Sequence, residues 1–423
     1  TIVLRKLGRD EEAGELLRGT LKLDPLDWWA RNLAGHALTC DLQAALDLAH
    51  DYAGLNFFAE AIAVLKNASV HQGDLPDQSW GAWPLVQYTL GALYEASGDG
   101  KTALKHFQQA AALPPDYCFP SRLKEIAILE SAMWANPLDS KAPYYLGNLL
   151  YDRRRYEEAI GHWEKSARLN PGFSIVWRNL GIAWFNVSKK PAKARTAYDR
   201  AFKANPADAR LLYERDQLWK RLGEKPEKRL RELEKFPHLV SGRDDLSIEL
   251  CALYNQTGRP LLAAQLLGGR RFQPWEGGEG GPLGQHVRAQ LALGRAALVK
   301  NDFAGARKYF EFALFSPRNL GEARHLLANQ SDIHYWLGCA SAGLGDEKTA
   351  REHWLTAANF KGDFQEMSVR VFSEMTCYSA WSWEKLGQRA RARKLFQKLL
   401  AYARQLQKSQ ANIDYFATSL PAM

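Results

Sequence analysis

The sequence predicts an all-α chain built from repeated pairs of helices, and three observations lead to this prediction. The chain has 423 residues, which is more than one compact core can organise, because single cores stop growing near roughly 250–300 residues. Hydrophobic residues make up 46% and charged residues 24% of the chain, a composition that is typical of a folded protein. In addition, one arrangement of small and aromatic residues recurs along the chain, which indicates an array of stacked units.

The clearest copy of this arrangement lies in "APYYLGNLLYDRRRYEEAIGHWEKSARLNP", residues 142–171. Gly147 lies on the first helix of the pair, and Ala159 and Trp163 follow on the second. The two small residues let the paired helices approach closely, and the spacing of the aromatic residue from the alanine is that of core packing. Further copies are Gly91, Ala103 and Phe107; Gly181, Ala194 and Tyr198; Gly294, Ala306 and Phe310; and Gly338, Ala350 and Trp354.

This arrangement resembles the tetratricopeptide repeat, and the resemblance implies a right-handed α-solenoid of tetratricopeptide-like helix pairs. Residues 1–135 are predicted to form the first repeats. We expect them to be truncated at the start, because only a second helix with Ala13 and Leu17 is recognisable there. Residues 136–245 are predicted to form central repeats that include one degenerate copy, and residues 246–423 C-terminal repeats with long loops and a capping helix.

The C-terminal repeats are longer than the motif requires. Ala263, Ala306, Ala350 and Ala392, which mark their second helices, are 43, 44 and 42 residues apart, whereas the motif needs about 34. The excess falls between the second helix of one repeat and the first helix of the next. Because equivalent loops of successive repeats emerge side by side, the three insertions are predicted to form one contiguous loop ridge.

The loop ridge carries polar and aromatic residues that point to binding, since long loops on a rigid scaffold often carry function. An exposed tryptophan beside carboxylates and arginines is typical of a surface that holds a sugar or a polar loop of a partner. The alternative is that Trp275 folds back as a hydrophobic plug, with Glu276 and Arg324 as plain ion pairs. The candidate ridge residues are Trp275, Glu276, Glu279, Arg318, Asn319, Glu322, Arg324, His325 and Asn329, with Lys361, Asp363 and Glu366 from the third insertion.

A second candidate site is the concave groove, which first-helix side chains line in such repeats. Asn148 and Asn179 match two asparagines of the clamp that some members of the family use for a peptide's terminal carboxylate. Tyr144 replaces the leading lysine of that clamp, so general peptide binding is the remaining hypothesis. The candidate groove residues are Tyr88, Tyr144, Asn148, Asp152, Arg178, Asn179 and Asn186.

Several function classes find no support in the sequence. The net charge of +9 is spread over clusters interleaved with acids, which disfavours a nucleic-acid surface. Five scattered cysteines without a CxxC pair predict free thiols, no metal site and a reducing compartment, so the cytoplasm is favoured. No apolar run approaches the roughly 18 residues of a membrane span, and "GDGKT" at residues 98–102 lacks the strand and glycine of a phosphate loop. We therefore predict no catalytic residue and no cofactor.

The insertions also resemble a narrower group. The stretches "RRFQPWEGGEG", "NLGEARHLLANQSDIHYWLG" and "NPGFSIVWRNLGIAWFN" are similar to the C-terminal repeat region of large bacterial proteins. The N-terminal half of those proteins is a β-rich domain that looks like a sugar-processing domain. The predicted function is a non-catalytic scaffold that presents groove and ridge to a protein or peptide partner, or to an upstream domain. The alternative is an accessory domain of a carbohydrate-active enzyme, with the Trp275 loop completing a sugar site.

Overall fold

The structure is a computed structural model that describes residues 1–72, 81–274, 278–365 and 368–409. It confirms the all-α class of stacked, tetratricopeptide-like helix pairs. The chain divides into two compact units, Thr1–Asn205 and Pro206–Met423. The three-part division into residues 1–135, 136–245 and 246–423 stays a prediction.

The first unit consists of helices that are mostly arranged as antiparallel neighbours. They are α1 (Ile2–Lys6), α2 (Asp10–Leu23), α3 (Trp28–Leu33), α4 (Leu42–Gly54), α5 (Phe58–Gln72), α6 (Trp83–Ala96), α7 (Gly100–Ala112), α8 (Lys124–Ala135), α9 (Lys141–Asp152), α10 (Tyr156–Leu169), α11 (Ser174–Asn186) and α12 (Pro191–Ala204).

The second unit continues with helices and adds one hairpin. Its elements are α13 (Ala209–Arg221), α14 (Pro226–Leu233), α15 (Pro237–Ser241), α16 (Asp244–Gln256), α17 (Pro260–Gly268), α18 (Gly281–Val299), α19 (Phe303–Leu314), a 3-10 turn (Arg318–Leu320), α20 (Ser331–Gly343), α21 (Glu347–Asn359), β1 (Asp363–Gln365), β2 (Ser368–Arg370), α22 (Thr376–Lys385) and α23 (Arg389–Lys408).

The recurring glycines lie directly beneath aromatic rings of the partner helix. A Cβ atom on Gly147 would come within 3 Å of the Trp163 indole, and Trp163 itself is buried. The alanine of each copy, such as Ala159, is also fully buried between the two helices. The predicted close approach is therefore confirmed, and the same relation holds for the pairs Gly91 and Phe107, Gly181 and Tyr198, Gly294 and Phe310, and Gly338 and Trp354.

A short turn joins the two helices of a pair and caps the second one. In the turn at residues 98–102, Gly98 has φ 86°, and the Asp99 carboxylate accepts the backbone N–H of Thr102. A positive φ is where glycine is favoured, and aspartate is a preferred helix N-cap. The stretch "GDGKT" is thus a turn, as the sequence indicated. Asn301 with Asp302, and Gly345 with Asp346, repeat this geometry.

The degenerate repeat in the second unit uses ion pairs instead of a glycine beneath a ring. Asp216 on α13 and Arg229 on α14 form a bidentate pair at 2.6 and 3.0 Å, and both are almost fully buried. Arg229 also donates to Glu249 on α16, which Lys220 contacts at 2.9 Å. Buried charges need such partners, so this network takes the place of the small residues that the sequence lacks here.

Three long loops separate the C-terminal helix pairs, as predicted. Loop 1 covers residues 269–280, loop 2 residues 315–330 and loop 3 residues 360–375. Loop 3 contains one short hairpin, in which β1 and β2 pair antiparallel with Phe364 opposite Val369. After α23, only Ser409 of the predicted capping segment lies within the described residues, and residues 410–423 lie outside them.

Candidate functional site

Loop 2 holds the beginning of loop 1 through a single asparagine. The Asn319 side-chain amide donates to the carbonyls of Leu267 and Arg270, both at 2.8 Å. Its backbone carbonyl accepts the N–H of Phe272 at 2.8 Å, and the Phe272 ring is buried. Next to this contact, Gly321 has φ 75°, and a Cβ atom on it would lie 2.6 Å from the Phe272 carbonyl oxygen. Only glycine allows the two backbones to lie this close.

Loop 2 also holds the end of loop 1, through the Glu322 carboxylate. This carboxylate accepts the backbone N–H of Gly280 at 2.6 Å and that of Leu283 at 2.7 Å. Leu283 is in the first turn of α18, where unpaired N–H groups and the helix dipole favour a negative charge. Burial raises the pKa of Glu322, although the two amide hydrogen bonds oppose that shift. Both ends of the glycine-rich loop are therefore fastened to loop 2.

Loop 3 is joined to loop 2 in the same manner. The Asp363 carboxylate accepts the backbone N–H of Asn329 at 2.8 Å, and the Asn329 side chain donates to the Gly362 carbonyl at 2.9 Å. The Phe364 N–H donates to the Leu327 carbonyl at 3.3 Å. These contacts confirm that the three insertions lie side by side, and that loop 2 is the central one. We call residues 269–280, 315–330 and 360–375 the loop ridge.

Two charged side chains lie where loop 2 leads into α20: Asp332 is buried and Arg324 is partly buried. Arg324 donates to the Ala313 carbonyl at 2.6 Å, and burial lowers the pKa of its guanidinium. Burial raises the pKa of the Asp332 carboxyl to about 6, against the opposing attraction of Arg324. From the sequence, Arg324 was either part of a binding surface or an ion-pair partner of Glu276, and Asp332 was not predicted as a buried group. Nothing in the sequence pattern indicates that an aspartate at the start of a helix becomes buried.

The candidate ridge residues differ in what they can offer a partner. Glu279, Arg318 and His325 are exposed, and the His325 ring stacks on Phe364 with 3.6 Å between ring centroids. The expectation that Asn329 binds a ligand requires correction, because Asn329 is buried and its side chain holds loop 3. Asn319, Glu322 and Arg324 are partly buried and hold the ridge together. Trp275, Glu276 and Glu366 lie outside the described residues.

The groove candidates in the first unit also require correction. Tyr88 is fully buried and donates to the buried Asp139 carboxylate at 2.6 Å. Tyr144 is buried too, with its ring 4.9 Å from that of Phe173. Neither tyrosine lines an open groove. The sequence placed them on the correct helices, but their neighbours on the inner face could not be foreseen.

The two groove asparagines contact each other and the core. Asn148 accepts the Asn179 side-chain amide at 3.0 Å and the Trp163 indole N–H at 3.1 Å. Asn148 is therefore engaged by the protein itself, which weakens the comparison with a carboxylate clamp. Asp152 is exposed, whereas Arg178, Asn179 and Asn186 are partly buried. Their role in binding stays a prediction.

An additional helix, α8, lies between the helix pairs α6–α7 and α9–α10 of the first unit. It packs against α6 and α9, and the preceding Arg122 contacts Asp47 on α4 at 2.6 Å. Lys124 at its start donates to the His50 carbonyl at 2.8 Å. α8 was not predicted from the sequence. The available signal was the interval from Gly91 to Gly147, which is 56 residues and exceeds one repeat of about 34 by enough to hold the 12 residues of α8 and its connections.

No group of three or more His, Cys, Asp or Glu side chains among the described residues could hold a metal ion. Within the same ranges, no helix combines the length and the apolarity needed to cross a membrane. All five cysteines are free, and burial raises the thiol pKa of Cys118 and of Cys251 to about 12. Those two thiols are protonated at neutral pH and are poor nucleophiles.

Comparisons with known proteins identify the repeats. Models of the tetratricopeptide repeat match residues 144–209 and 378–405. The Photosystem I assembly protein Ycf3 from Synechococcus elongatus is 27% identical over 122 residues, and so is the protein of that name from a second Synechococcus strain. The match covers 29% of this chain and 63% of the length of each relative.

Three solved structures are also similar. YrrB, described as a TPR protein with an unusual peptide-binding site, is 15% identical, with 55% of this chain and 91% of that chain covered and a TM-score of 0.30. A tetratricopeptide repeat protein from Parabacteroides merdae is 15% identical, with 70% and 98% covered and a TM-score of 0.28. MamA from Desulfovibrio magneticus is 16% identical, with 48% and 96% covered and a TM-score of 0.27. Because these TM-scores are low, the fold assignment depends on the repeat matches and the helix packing.

Proposed function

We propose that this chain, which contains tetratricopeptide repeats, is a non-catalytic scaffold that docks a protein partner on its loop ridge. Tetratricopeptide repeats typically mediate protein–protein interaction, and the ridge is the feature that distinguishes the second unit from plain repeats. A peptide in the groove near Asp152 and Asn179 is a second, independent contact of the same scaffold. The partner of the ridge is either a separate protein or an upstream domain of the same polypeptide.

The observation that carries this proposal is the fastening of both ends of loop 1. Asn319 and Gly321 hold its beginning, and Glu322 holds its end, so the described ends of the loop are in place before a partner arrives. A free loop of this length would lose roughly 1–2 kcal/mol of backbone entropy per residue on ordering. Pre-organisation removes part of that cost from the binding step, which is how rigid interfaces gain affinity.

The exposed face of the ridge indicates the chemistry of the partner. Leu326 is 97% exposed, and Leu327, Val369 and Val371 are each more than half exposed. The Leu327 carbonyl accepts the N–H of Phe364, and Phe364 lies opposite Val369 in the hairpin. Leu326, Leu327 and Val369 are therefore close together. Apolar patches of this kind commonly mark interaction sites. Arg318 and Lys361 add exposed positive charge, so the ridge suits a protein segment with apolar and acidic side chains.

The cyanobacterial relatives agree with a scaffold role. Their name describes assembly of photosystem I, and an assembly protein has to contact the subunits that it assembles. That match covers only part of this chain, so it supports the class of function and does not identify the partner. None of the described contacts favours the carbohydrate alternative, since Trp275 and Glu276 lie outside the described residues.

Site-specific photo-crosslinking tests the proposal. A photoreactive amino acid replaces Leu326 on the ridge, or Val299, a similarly exposed residue at the end of α18, in cells that make the full-length protein. We expect one defined adduct, to another protein or to an upstream domain, at position 326 and not at position 299. The adduct should disappear in a Gly321→Ala background, which separates loops 1 and 2. Equal labelling at both positions, or no adduct at position 326, would contradict a docking role of the ridge.

A further inference from the structure

The first unit holds a pocket that shares no residue with the loop ridge. It has a volume of about 290 Å³ and lies between helices α4, α6 and α8, with Phe58 of α5 at one side. Its wall is largely apolar and includes Ala92, Leu93 and Ile128. For scale, an apolar cavity of about 150 Å³ binds benzene. The pocket therefore has room for one aromatic ring and a short polar extension.

Two polar side chains in the pocket wall lack partners. His50 is 5% exposed and Thr89 is 2% exposed, and both line the pocket. The Nε2 atom of His50 and the hydroxyl of Thr89 make no hydrogen bond. A buried polar group without a partner costs roughly 1–3 kcal/mol, so native proteins rarely leave two of them together unless a ligand or water completes them. Both groups can donate a hydrogen bond to an acceptor in the pocket.

The pocket is also positively charged on one side. Lys124 is exposed and lines the pocket, and its ammonium uses one donor on the His50 carbonyl at 2.8 Å. Among the described residues, no aspartate or glutamate lines the pocket. Asp47 and Glu125, the acids of the neighbouring helices, both pair with Arg122 at 2.6 and 3.1 Å. His50 adds no charge at neutral pH, because burial lowers its pKa to about 4.

We propose that this pocket binds a small organic carboxylate whose body is a single aromatic ring or a branched alkyl group. The body fills the apolar space beside Leu93 and Ile128. The carboxylate lies near the Lys124 ammonium, and the side chains of Thr89 and His50, whose polar atoms are enclosed in the unliganded protein, turn towards it to donate hydrogen bonds. The source of such a group is either a free carboxylate or the C-terminal residue of a peptide. The proposal uses contacts within the first unit alone and does not depend on the loop ridge.

Calorimetry with matched small molecules tests the chemistry of the ligand. The probes are 3-phenylpropionate, the neutral 3-phenylpropan-1-ol, the cationic 3-phenylpropylamine and acetate. We expect saturable one-to-one binding of 3-phenylpropionate, with the alcohol weaker by about tenfold or more, because a hydrogen bond to a charged group is roughly twice as strong as a neutral one. Acetate and the amine should not bind. Absence of saturable binding at millimolar 3-phenylpropionate, or equal binding of the alcohol, would overturn the proposal.

The tripeptide Gly-Gly-Phe distinguishes the two sources. If the peptide with a free C-terminus binds more tightly than 3-phenylpropionate, and its C-terminal amide does not bind, the group is a peptide terminus. If the peptide binds more weakly, the group is a free carboxylate. Either result supports the chemistry of the pocket.

Variants locate the binding event. Ala92→Leu should fill the pocket and abolish binding, and Lys124→Met should remove the preference for the acid over the alcohol. Lys101→Met changes an exposed lysine that does not line the pocket, so it should leave binding unchanged. Since Ala92→Leu can disturb folding, methyl resonances of Leu93 and Ile128 in the wild-type protein give an independent readout. Binding of 3-phenylpropionate without shifts at these methyl groups would place it elsewhere and refute the proposal.

Discussion

The helix pair α9–α10 and the loop ridge both bring two segments of the chain into close contact, but different kinds of contact hold the segments together. In the helix pair, Gly147 lies beneath the ring of Trp163, and the contact is made by side chains at a fixed spacing. In the ridge, Asn319 and Glu322 bind backbone groups of loop 1, and no repeating pattern connects the partners. The helix pairs are therefore encoded by the local spacing of packing residues. The inserted loops are held instead by individual polar contacts between residues that are distant in sequence.

The largest difference should appear when a methyl group is added at Gly321. The substitution Gly321→Ala forces a left-handed conformation, which costs roughly 1–2 kcal/mol, and it adds an overlap with the Phe272 carbonyl that costs about 1–3 kcal/mol. We expect a loss of about 3 kcal/mol in the free energy of unfolding, measured by urea denaturation. Gly345→Ala is the control, because Gly345 has φ 78° with open space around it. It should lose only about 1 kcal/mol; equal losses would show that loops 1 and 2 are not in close contact.

The buried carboxyl of Asp332, at the end of loop 2, should make the stability of the second unit depend on pH. Asp332 has a pKa of about 6 in the folded protein, against about 3.9 when unfolded. Between these values the folded state binds more protons, so stability falls as pH rises from about 4 to about 6 and stays lower above. Asp332→Asn should therefore stabilise the protein at pH 8 by up to about 3 kcal/mol.

The pH dependence of the stability gain tests whether the buried charge of Asp332 causes it. The gain from Asp332→Asn should shrink as the pH falls and approach zero near about pH 3, where the carboxyl is mostly protonated in both states. Asp51→Asn changes an exposed aspartate of the first unit and should show no such trend. A gain that is constant across the series would mean that the buried charge of Asp332 is not its cause.

The regular helix pair should respond to a methyl group at one glycine and tolerate it at another. Gly147→Ala places a Cβ atom against the Trp163 ring, and overpacking of this kind costs about 2 kcal/mol. Gly161→Ala, on α10 of the same pair, meets no atom within 4 Å and should stabilise the helix by up to about 1 kcal/mol. Thermal unfolding followed by circular dichroism measures both. Similar effects at the two positions would argue against the packing role of Gly147.

The smallest expected effect concerns the beginning of loop 1. Asn319→Ala leaves the carbonyls of Leu267 and Arg270 without their donor, which should cost about 1 kcal/mol because water replaces part of each bond. Asn359→Ala removes an exposed bond to the Leu355 carbonyl and should cost less. Limited proteolysis after Arg270 and Arg271 reports the opening of the loop. Cleavage that is unchanged by Asn319→Ala would show that another contact holds the segment.

Some of these contacts could be predicted from the sequence, and others could not. The spacing of Gly147, Ala159 and Trp163 predicted helix pairs and their contacts, because packing residues repeat with the helical period. The lengths between Ala263 and Ala392 predicted the three loops and their common edge. The burial of Tyr88 beneath Asp139 could not be predicted, since it depends on residues 51 positions apart. The hydrogen bonds from Gly280 and Leu283 to Glu322 could not be predicted either. The sequence does not distinguish a loop glutamate that binds a ligand from one that binds backbone amides.

Hydrogen–deuterium exchange at single residues tests the central claim that loop 2 holds loop 1 in place. The amides of Gly280 and Leu283 donate to Glu322, so we predict that both exchange much more slowly than in an unstructured peptide. In Glu322→Ala their protection should disappear, while the amide of Phe364, which bonds to Leu327, should keep its own. Exchange of Gly280 and Leu283 at the unprotected rate in the wild-type protein would contradict a pre-organised ridge.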